Sequence, residues 1–533
     1  MTRRLARLAP TLYDRLALPL LLLLGGAVLW TFRDYGISND EEVQSVYGKL
    51  LLLFYTSGFS DWSAFHYKNL FLYGGLFDVV AALVDPLMPF GEYEERHLLS
   101  GLIGVVGVAG AWRLARHVGG PRAGWLAALM LGLAAVWFGA MFNHTKDVPF
   151  AVAMTWWLYY TCRFVDDLPR PRWGTTALLG VTAGLAFGLR VMAALGVLYL
   201  LAAVAVYLAV MSREVPRGEL AANARAVALR LLPAGVIAYL LMALFWPWAV
   251  LSPLNPLKAL TEFNRFTYDI TTIVGGVKCK MYAPPAHYLP TYMAIKLPEI
   301  VVFGLAALLA AGWIERRRWL ALDRRTQVRF GLVLAAALLP IAYNVLGKPP
   351  IYNGVRHYLF VIPPLVVLAA IGVDRMLARL ADSTLARRGA MAAVGMLFGW
   401  SAVTLVTLHP HQYVFYNAFV GGLPGADERF VTDYWANTTR ELTLALNDFV
   451  RAENKRRGAR RAYAVALCAE AISAETYMAP ELYITKNWPR ADFFIAPTHM
   501  DCDESLGGEV IYEVERDGVV LGVLKDRRQR LWP

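Results

Sequence analysis

Two short stretches of the chain gather side chains able to do acid–base and anion chemistry. In "SNDEEVQSVYG" (38–48), Asp40, Glu41 and Glu42 are consecutive carboxylates. They could supply a general base for a hydroxyl or ligands for a divalent cation. They also read as the acidic start of a helix, with "SND" as its cap. In "MFNHTKDVPF" (141–150), His144, Lys146 and Asp147 fall in a short turn between two apolar runs. Pro149 suits the first turn of the helix that follows, and Asp147 alone could be its cap. His144 and Lys146 have no such structural duty. Opposite an acidic loop they suggest a phosphate-type anion site with a base beside it. More cations sit at the ends of apolar runs: Arg190 in "FGLRVM", Lys296 in "AIKLPE", and Arg356 and His357 in "GVRHYLF". Any one of them reads as a snorkelling side chain. Recurring beside carboxylates, they suggest a shared site, with Tyr282, Tyr288, Tyr292, Tyr352 and Tyr358 as aromatic company.

The elements that must position these residues are membrane helices. The chain is 57% hydrophobic and 17% charged, and its mean hydropathy is +0.43. That balance lies outside the range of water-soluble chains and marks an integral membrane protein. The net charge of +11 does not imply nucleic acid, because the arginines cluster between apolar runs. Segments with the roughly twenty apolar residues needed to span lie near 16–33, 97–116, 123–142, 148–165, 174–189, 191–210, 230–250, 297–314, 329–346, 357–373 and 389–408. The first has arginines before it and no small-residue cleavage pattern after it, so it is expected to remain as a span.

Eleven spans put the termini on opposite sides. With the N-terminus inside, Arg3, Arg4, Arg7 and Arg15 share the cytoplasmic side with Arg113, Arg116 and Arg122, with Arg316, Arg317 and Arg318, and with Arg387 and Arg388. This is the positive-inside arrangement. "NLFLYGGLFDVVAALVDPLM" (69–88) is ambiguous, since its apolar part is short and contains Asp78. Counting it as a span would turn every later arginine cluster outward, so it is read as a helix in the outer interface. The outer connections are then 34–97, 143–147, the Arg190 turn, 251–296, 347–356 and everything after His409. All the unusual polar chemistry faces one side.

Gly101, Gly104, Gly107 and Gly110, and Gly180, Gly184 and Gly188, recur at helical spacings that permit close helix packing. The tail changes character. Residues 439–458 have helical periodicity, while 462–468, 492–497, 509–516 and 519–526 read as strands, giving a small exterior α/β domain over 409–533 behind a membrane module over 1–408. A Cys468–Cys502 disulfide is conceivable in an oxidising exterior, and no cysteine spacing resembles a zinc site.

The order and common sidedness of these pieces carry a resemblance. An acidic first outer loop with "NDEE", an interfacial helix within it, the "NHTKDVPF" turn, a later "KLP" and "RHYLF" resemble the GT-C glycosyltransferases. The branch concerned is that of the protein O-mannosyltransferases and aminoarabinose transferases. "HPHQYVFYN" (409–417) and "DYW" (433–435) look like a bacterial subset with an outer domain. The resemblance implies a GT-C-type bundle of about eleven transmembrane helices in a bacterial inner membrane, N-terminus cytoplasmic and C-terminus extracytoplasmic. It also implies a donor monosaccharide (hexosyl or pentosyl) on a polyprenyl phosphate and inverting transfer to a lipid, glycan or protein acceptor. Asp40 matches the acidic position and would be the base, with Glu41 as fallback and Asp147 as helper or metal ligand. Lys146, Lys296 and Arg356 would hold the donor phosphate and stabilise its charge as the sugar leaves, joined by His144, Arg190 and His357. Some members use a divalent cation such as Mg or Mn and others none, and this chain lacks the DxD spacing that would favour one.

The rival reading is a transporter of a lipid-linked or small anionic solute. Carriers place ionisable groups near the middle of their spans, whereas 123–142, 174–189 and 389–408 carry no charge until their ends.

Overall fold

The computed structural model describes residues 11–266, 268–458 and 460–531. Arg3, Arg4 and Arg7 of the expected cytoplasmic cluster lie outside the described residues. Each of the eleven expected apolar segments forms helix. Among the described residues seven helices are long and apolar enough to cross a membrane, or up to nine if each of two bent pairs is one span. One pair, Pro121–Gly132 and Ala135–Asn143, is bent by 59°; the other, Tyr288–Lys296 and Glu299–Ile314, by 110°. The second bend has a local cause, since Pro298 drives Leu297 into extended backbone and supplies no amide hydrogen. The two remaining segments are Asp147–Asp166, diluted by Trp, Tyr and Arg163, and Trp173–Phe187, which has only fifteen residues.

Burial sorts the helices into a centre and a lipid-facing ring. The most apolar stretch of Arg356–Arg379 is 83% buried, against 22% for Leu12–Thr31 and 11% for Arg217–Phe245. Exposed Leu18, Leu22 and Leu23 on the first helix therefore face hydrocarbon rather than water. The glycine stripes do what their spacing suggests. A Cβ on Gly180 would stand 2.5 Å from the Ala234 carbonyl, so only glycine lets the helices Trp173–Phe187 and Arg217–Phe245 approach this closely.

One end of the bundle carries the arginine pairs: Arg116 with Asp14, Arg122 with Asp374 at 2.5 Å, and His117 and Arg329 on Asp166 at 2.9 and 3.5 Å. The long loop 34–97 caps the opposite end. It contains the helices Glu41–Thr56 and Leu76–Val84 and three 3-10 turns. The helix Leu76–Val84 comes between the second and third turns. It is nine residues long, too short to cross and consistent with an interfacial helix. Its Asp78 is buried against Arg96 at 2.6 Å. The loop is pinned to the bundle through backbone. The amides of Gly74, Gly75 and Leu76 donate to the carbonyls of Leu189, Phe245 and Gly188 at 3.2, 2.7 and 3.0 Å.

The tail folds as expected from its periodicities, and across the chain the structure adds two strand elements. Thr438–Arg457 packs Leu442, Leu446 and Val450 on a five-stranded sheet. The strands are β3 (Tyr463–Leu467), β4 (Leu482–Ile484), β5 (Phe493–Pro497), β6 (Glu509–Arg516) and β7 (Val519–Asp526), in the order β4-β3-β5-β7-β6. β3 runs parallel to β4 and β5, and the β5–β7–β6 half is antiparallel. Three-residue β4 carries too little alternation to be seen in sequence. The other addition is a hairpin, β1 (Thr271–Val274) and β2 (Val277–Lys280), turned at Gly275 and Gly276 with φ of 60° and 83°. Cys468 and Cys502 form a disulfide. Tyr413, Tyr416, Phe430, Val431 and Trp435 bury into the helical body, so the chain between the last apolar helix and the sheet unit is part of the bundle's core.

A Cβ at Gly74 would lie 2.1 Å from the Gly188 carbonyl oxygen. Gly74→Val is therefore expected to lift the 34–97 loop and cost about 1–3 kcal/mol, read as a lower thermal unfolding midpoint of the purified protein.

Candidate functional site

The site is assembled from loops at the capped end of the bundle. Loops 36–44 and 143–147 are laced together. Asn143 Nδ2 donates to the Gly36 carbonyl at 3.0 Å, Ser38 Oγ to the Asn143 carbonyl at 3.5 Å, and the Thr145 hydroxyl to Gln44 Oε1. This stitching sets Asp40 beside Lys146. Asp40 occupies the cap position of Glu41–Thr56 without making a side-chain capping bond, and Asp147 opens Asp147–Asp166 without capping it. Neither carboxylate has the helix-end duty that its sequence position suggests.

Both instead meet arginine. Arg356 bridges them, with Nη2 on Asp40 Oδ2 and Nε on Asp147 Oδ2 at 3.2 Å. Arg190 takes the other Asp147 oxygen, and Lys146 Nζ stands 4.0 Å from Asp40 Oδ2. The Asp147, Arg356 and Arg190 side chains are 3%, 4% and 9% exposed, whereas Asp40 retains 33%. Asp40 thus marks the accessible edge of an otherwise sealed cluster. Burial alone would raise the Asp40 carboxyl, but the Arg356 and Lys146 charges outweigh it and hold Asp40 below the usual carboxylate range. Burial pulls Lys146 below the ordinary lysine range; Asp40 opposes this, and Arg356 and Arg190 add to it.

Aromatic rings wall the cations. Lys146 lies 4.4 Å above the Tyr73 ring, and Arg356 lies 4.0 Å above Trp435 and 5.7 Å from Tyr352. Arg356 is aimed by a left-handed corner, Asn353 and Gly354 with φ of 56° and 66°. The Gly354 amide donates to the Tyr288 hydroxyl at 3.1 Å, and Tyr292 accepts from the Val431 amide at 3.1 Å. Tyr288 and Tyr292, expected as wall aromatics, are buried props behind this corner.

The remaining expected site residues divide. His357 reaches the rim through the Tyr352 ring at 4.8 Å. Glu41, the fallback base, is fully buried and engaged, accepting from the Ser38 amide at 2.6 Å and meeting His97 Nε2 at 3.0 Å. Lys296 is not part of the bridged cluster. Its ammonium donates to the Tyr413 carbonyl at 3.1 Å and lies 3.6 Å above the Tyr416 ring, and among the described residues no carboxylate pairs with it. His144, expected as a phosphate contact, has both ring nitrogens taken up. Nδ1 faces the Ala140 carbonyl at 3.2 Å, and Nε2 accepts from Trp435 Nε1–H at 2.8 Å. Burial lowers the His144 pKa to about 4, so the ring is neutral at physiological pH and adds no cation.

The residues the sequence reading did not place are Tyr73, Tyr434 and Trp435. "DYW" stands out as a string, but nothing in its spacing says that it returns to the bundle. Nor does the donor set favour a resident divalent ion. Among the described residues no group of three or more His, Cys, Asp and Glu side chains could hold a metal. The Arg356 guanidinium already fills the position between Asp40 and Asp147 that a cation would take. Three basic side chains (Lys146, Arg190, Arg356) against two carboxylates leave one basic group in excess at a partly open edge.

Comparison with known proteins bears on the fold. Residues 90–248 match the family model of the dolichyl-phosphate-mannose-protein mannosyltransferases. The crystal structure of ArnT from Cupriavidus metallidurans bound to undecaprenyl phosphate is 16% identical, with a TM-score of 0.51, covering 97% of this chain and 98% of that one. The same protein in its apo state is 16% identical, with a TM-score of 0.50 and coverage of 96% and 97%. No curated protein matches the chain. The chain is an integral membrane protein with the GT-C-type fold and a C-terminal α/β unit.

Removing the bridge leaves Asp147 to Arg190 alone and Asp40 to the more distant Lys146. Arg356→Ala is expected to destabilise the protein by about 3 kcal/mol, the low end of the cost of breaking a buried ion pair, seen as a fall in unfolding midpoint. Arg356→Lys should recover only part of it, because an ammonium cannot span both acids.

Proposed function

We propose that the protein is an inverting membrane glycosyltransferase, moving a monosaccharide from a polyprenyl-phosphate donor to an acceptor hydroxyl on the extracytoplasmic side. The observation that carries this reading is the charge count of the cluster. A donor phosphodiester brings one negative charge, which the single surplus cation matches. In transfer the acceptor oxygen attacks the anomeric carbon, the carbon–oxygen bond to phosphate breaks, and Asp40 takes the acceptor's proton. The departing phosphomonoester gains a negative charge as Asp40 loses one, so the pocket stays neutral throughout. Arg356, Lys146 and Arg190 stabilise the leaving phosphate without reorganising. Before turnover Arg356 is paired with Asp40. A phosphate drawing on the same guanidinium would release the carboxylate as base only when donor is present.

Asp147 orients Arg190 and Arg356 rather than reacting. Lys296 and His144, engaged elsewhere, support the site's walls. The family match and the resemblance to ArnT, whose structure holds undecaprenyl phosphate, support a lipid-linked donor. A location in a bacterial inner membrane with the tail outside is supported by the arginine-rich far end and by the Cys468–Cys502 disulfide. A carrier would want its charges along a path through the spans, whereas these gather at helix ends.

Asp40→Asn is expected to reduce turnover at least about a hundredfold, the scale of a lost general base, with an unchanged unfolding profile, and Lys146→Ala chiefly to raise the donor KM. The assay is mass spectrometry of glycolipids and accumulated polyprenyl phosphosugar in cells lacking the protein and re-expressing each variant. Restored glycolipid with Asp40→Asn would remove Asp40 as base. In kcat/KM against pH, Asp40 should stay ionised through neutrality, so the acid limb falls below about pH 4. The alkaline limb, as Lys146 loses its proton, should begin below the usual lysine value of about 10.4.

A further inference from the structure

The exterior unit does more than follow the bundle in sequence. Gly36, four residues before Asp40, sits so tightly under it that a Cβ there would lie 2.5 Å from the Asn437 carbonyl oxygen. The Glu470 amide donates to Asn39 Oδ1 at 3.1 Å, one residue from the carboxylate itself. Between the last apolar helix and the sheet, residues 433–435 dip back into the charged cluster.

Asp433 anchors that dip. Its carboxylate accepts from the Asn437 and Thr438 amides at 2.9 and 3.0 Å, from the Thr438 hydroxyl at 2.6 Å, and from the Tyr413 hydroxyl. It therefore caps the start of Thr438–Arg457 and ties it to the segment whose Tyr413 carbonyl holds Lys296. Ala436 is left-handed, φ 57°, a conformation that costs a non-glycine residue free energy and is held only where the surroundings demand it. The corner this makes turns Trp435 inward, where its ring is 2% exposed. One function of the indole is the face set against Arg356 at 4.0 Å; the other is the N–H donated to His144 Nε2 at 2.8 Å.

We propose that Trp435, delivered by the returning segment, is a positioning residue of the transfer site: its ring seats the bridging Arg356 and its N–H occupies the lone pair of His144 Nε2. The inference rests on the reading of the cluster as a phosphate-binding transfer site. The tautomer follows from the geometry. The Ala140 carbonyl can only accept, so Nδ1 carries the hydrogen and Nε2 is the acceptor. The Tyr434 hydroxyl, 2.8 Å from the same Nε2, is a second donor to it. The groups facing His144 are Asp147, Arg356 and Asp40 from the cluster, with Tyr413, Tyr434 and Trp435 from the returning segment. A protonated imidazole here would compete for Asp147 and draw it from Arg190 and Arg356. A donated N–H at Nε2 prevents that and keeps both arginines in register for an anion.

The test uses the purified full chain and two substitutions. Trp435→Phe keeps a ring under Arg356 and deletes the N–H; Trp435→Ala deletes both. Exchange of histidine C2 hydrogens for deuterium, followed by mass spectrometry across pH, reads the His144 midpoint without substrate. Undecaprenyl phosphate binding is measured in parallel at pH 7.5. With Trp435→Phe, which leaves the burial and the Tyr434 hydroxyl in place, the His144 midpoint is expected to rise above about 4 without reaching 6.5, with undecaprenyl phosphate affinity kept within about threefold. With Trp435→Ala the midpoint climbs and affinity falls about tenfold, within the range of a cation–ring contact. An unchanged His144 profile in the Phe variant would overturn the proposal. So would undiminished affinity in a folded Ala variant; should that variant misfold, the Phe variant still decides. If the unsubstituted protein does not bind undecaprenyl phosphate at all, the phosphate reading fails instead, and the His144 profiles still report on Trp435.

Discussion

A guanidinium held between two carboxylates organises this protein. Arg356 lies 316 residues from Asp40 and 209 from Asp147 in sequence, yet it touches both. Charges this far from water are tolerable only when paired, since each would otherwise carry a desolvation penalty of several kcal/mol. The pairing therefore dictates how the first outer loop, the 143–147 turn and the entrance of the most buried helix must meet. Elements that look incidental are the means of holding that register: the glycine pinning of 74–76, the Asn143 and Thr145 stitches, and the Tyr288 and Tyr292 props.

The same bridge explains why the site is asymmetric. Asp147 is sealed and shared by two arginines, which suits a residue that orients. Asp40 shares one arginine and keeps a third of its surface, which suits a residue that reacts. Two carboxylates of similar chemistry are separated in role by exposure and partner number. On the proposed reading, the cost is that the base is occupied before donor binds. That occupation is useful if the donor phosphate is what releases it, because a carboxylate free only in the donor complex cannot promote wasteful chemistry at an empty site. The C-terminal unit closes the arrangement by resting on the loop that carries Asp40 and inserting Trp435 beside Arg356.

Much of the scaffold was legible because its signals are local. Each of the eleven apolar runs forms helix, Asp78 and the shortness of 69–88 argued against a span there, and alternation found four of the five strands of the C-terminal sheet. β4 escaped because three residues carry no period, and the β1–β2 hairpin because its strands are four residues each in a loop read as irregular. In the site, Asp40, Lys146, Asp147, Arg190 and Arg356 were legible as chemistry at helix ends on one face. Glu41 looked equivalent to Asp40, since adjacent carboxylates are indistinguishable by type. They differ because a helix turns about 100° per residue, which sends one toward Arg356 and the other toward His97. His144 and Lys296 were read as cations facing a ligand, yet each is taken up by neighbours from the returning 413–435 segment, a contact that no spacing encodes.

The sequence by itself determined the solvent, the helices and the inventory of ionisable groups, because hydropathy, proline, glycine and charge act over a turn or two of chain. Only the tertiary structure decided which acid meets which base, that one arginine serves two carboxylates, and that a tryptophan from beyond the last apolar helix completes the site. Those outcomes depend on distances between segments hundreds of residues apart, set by packing and by the need to neutralise buried charge.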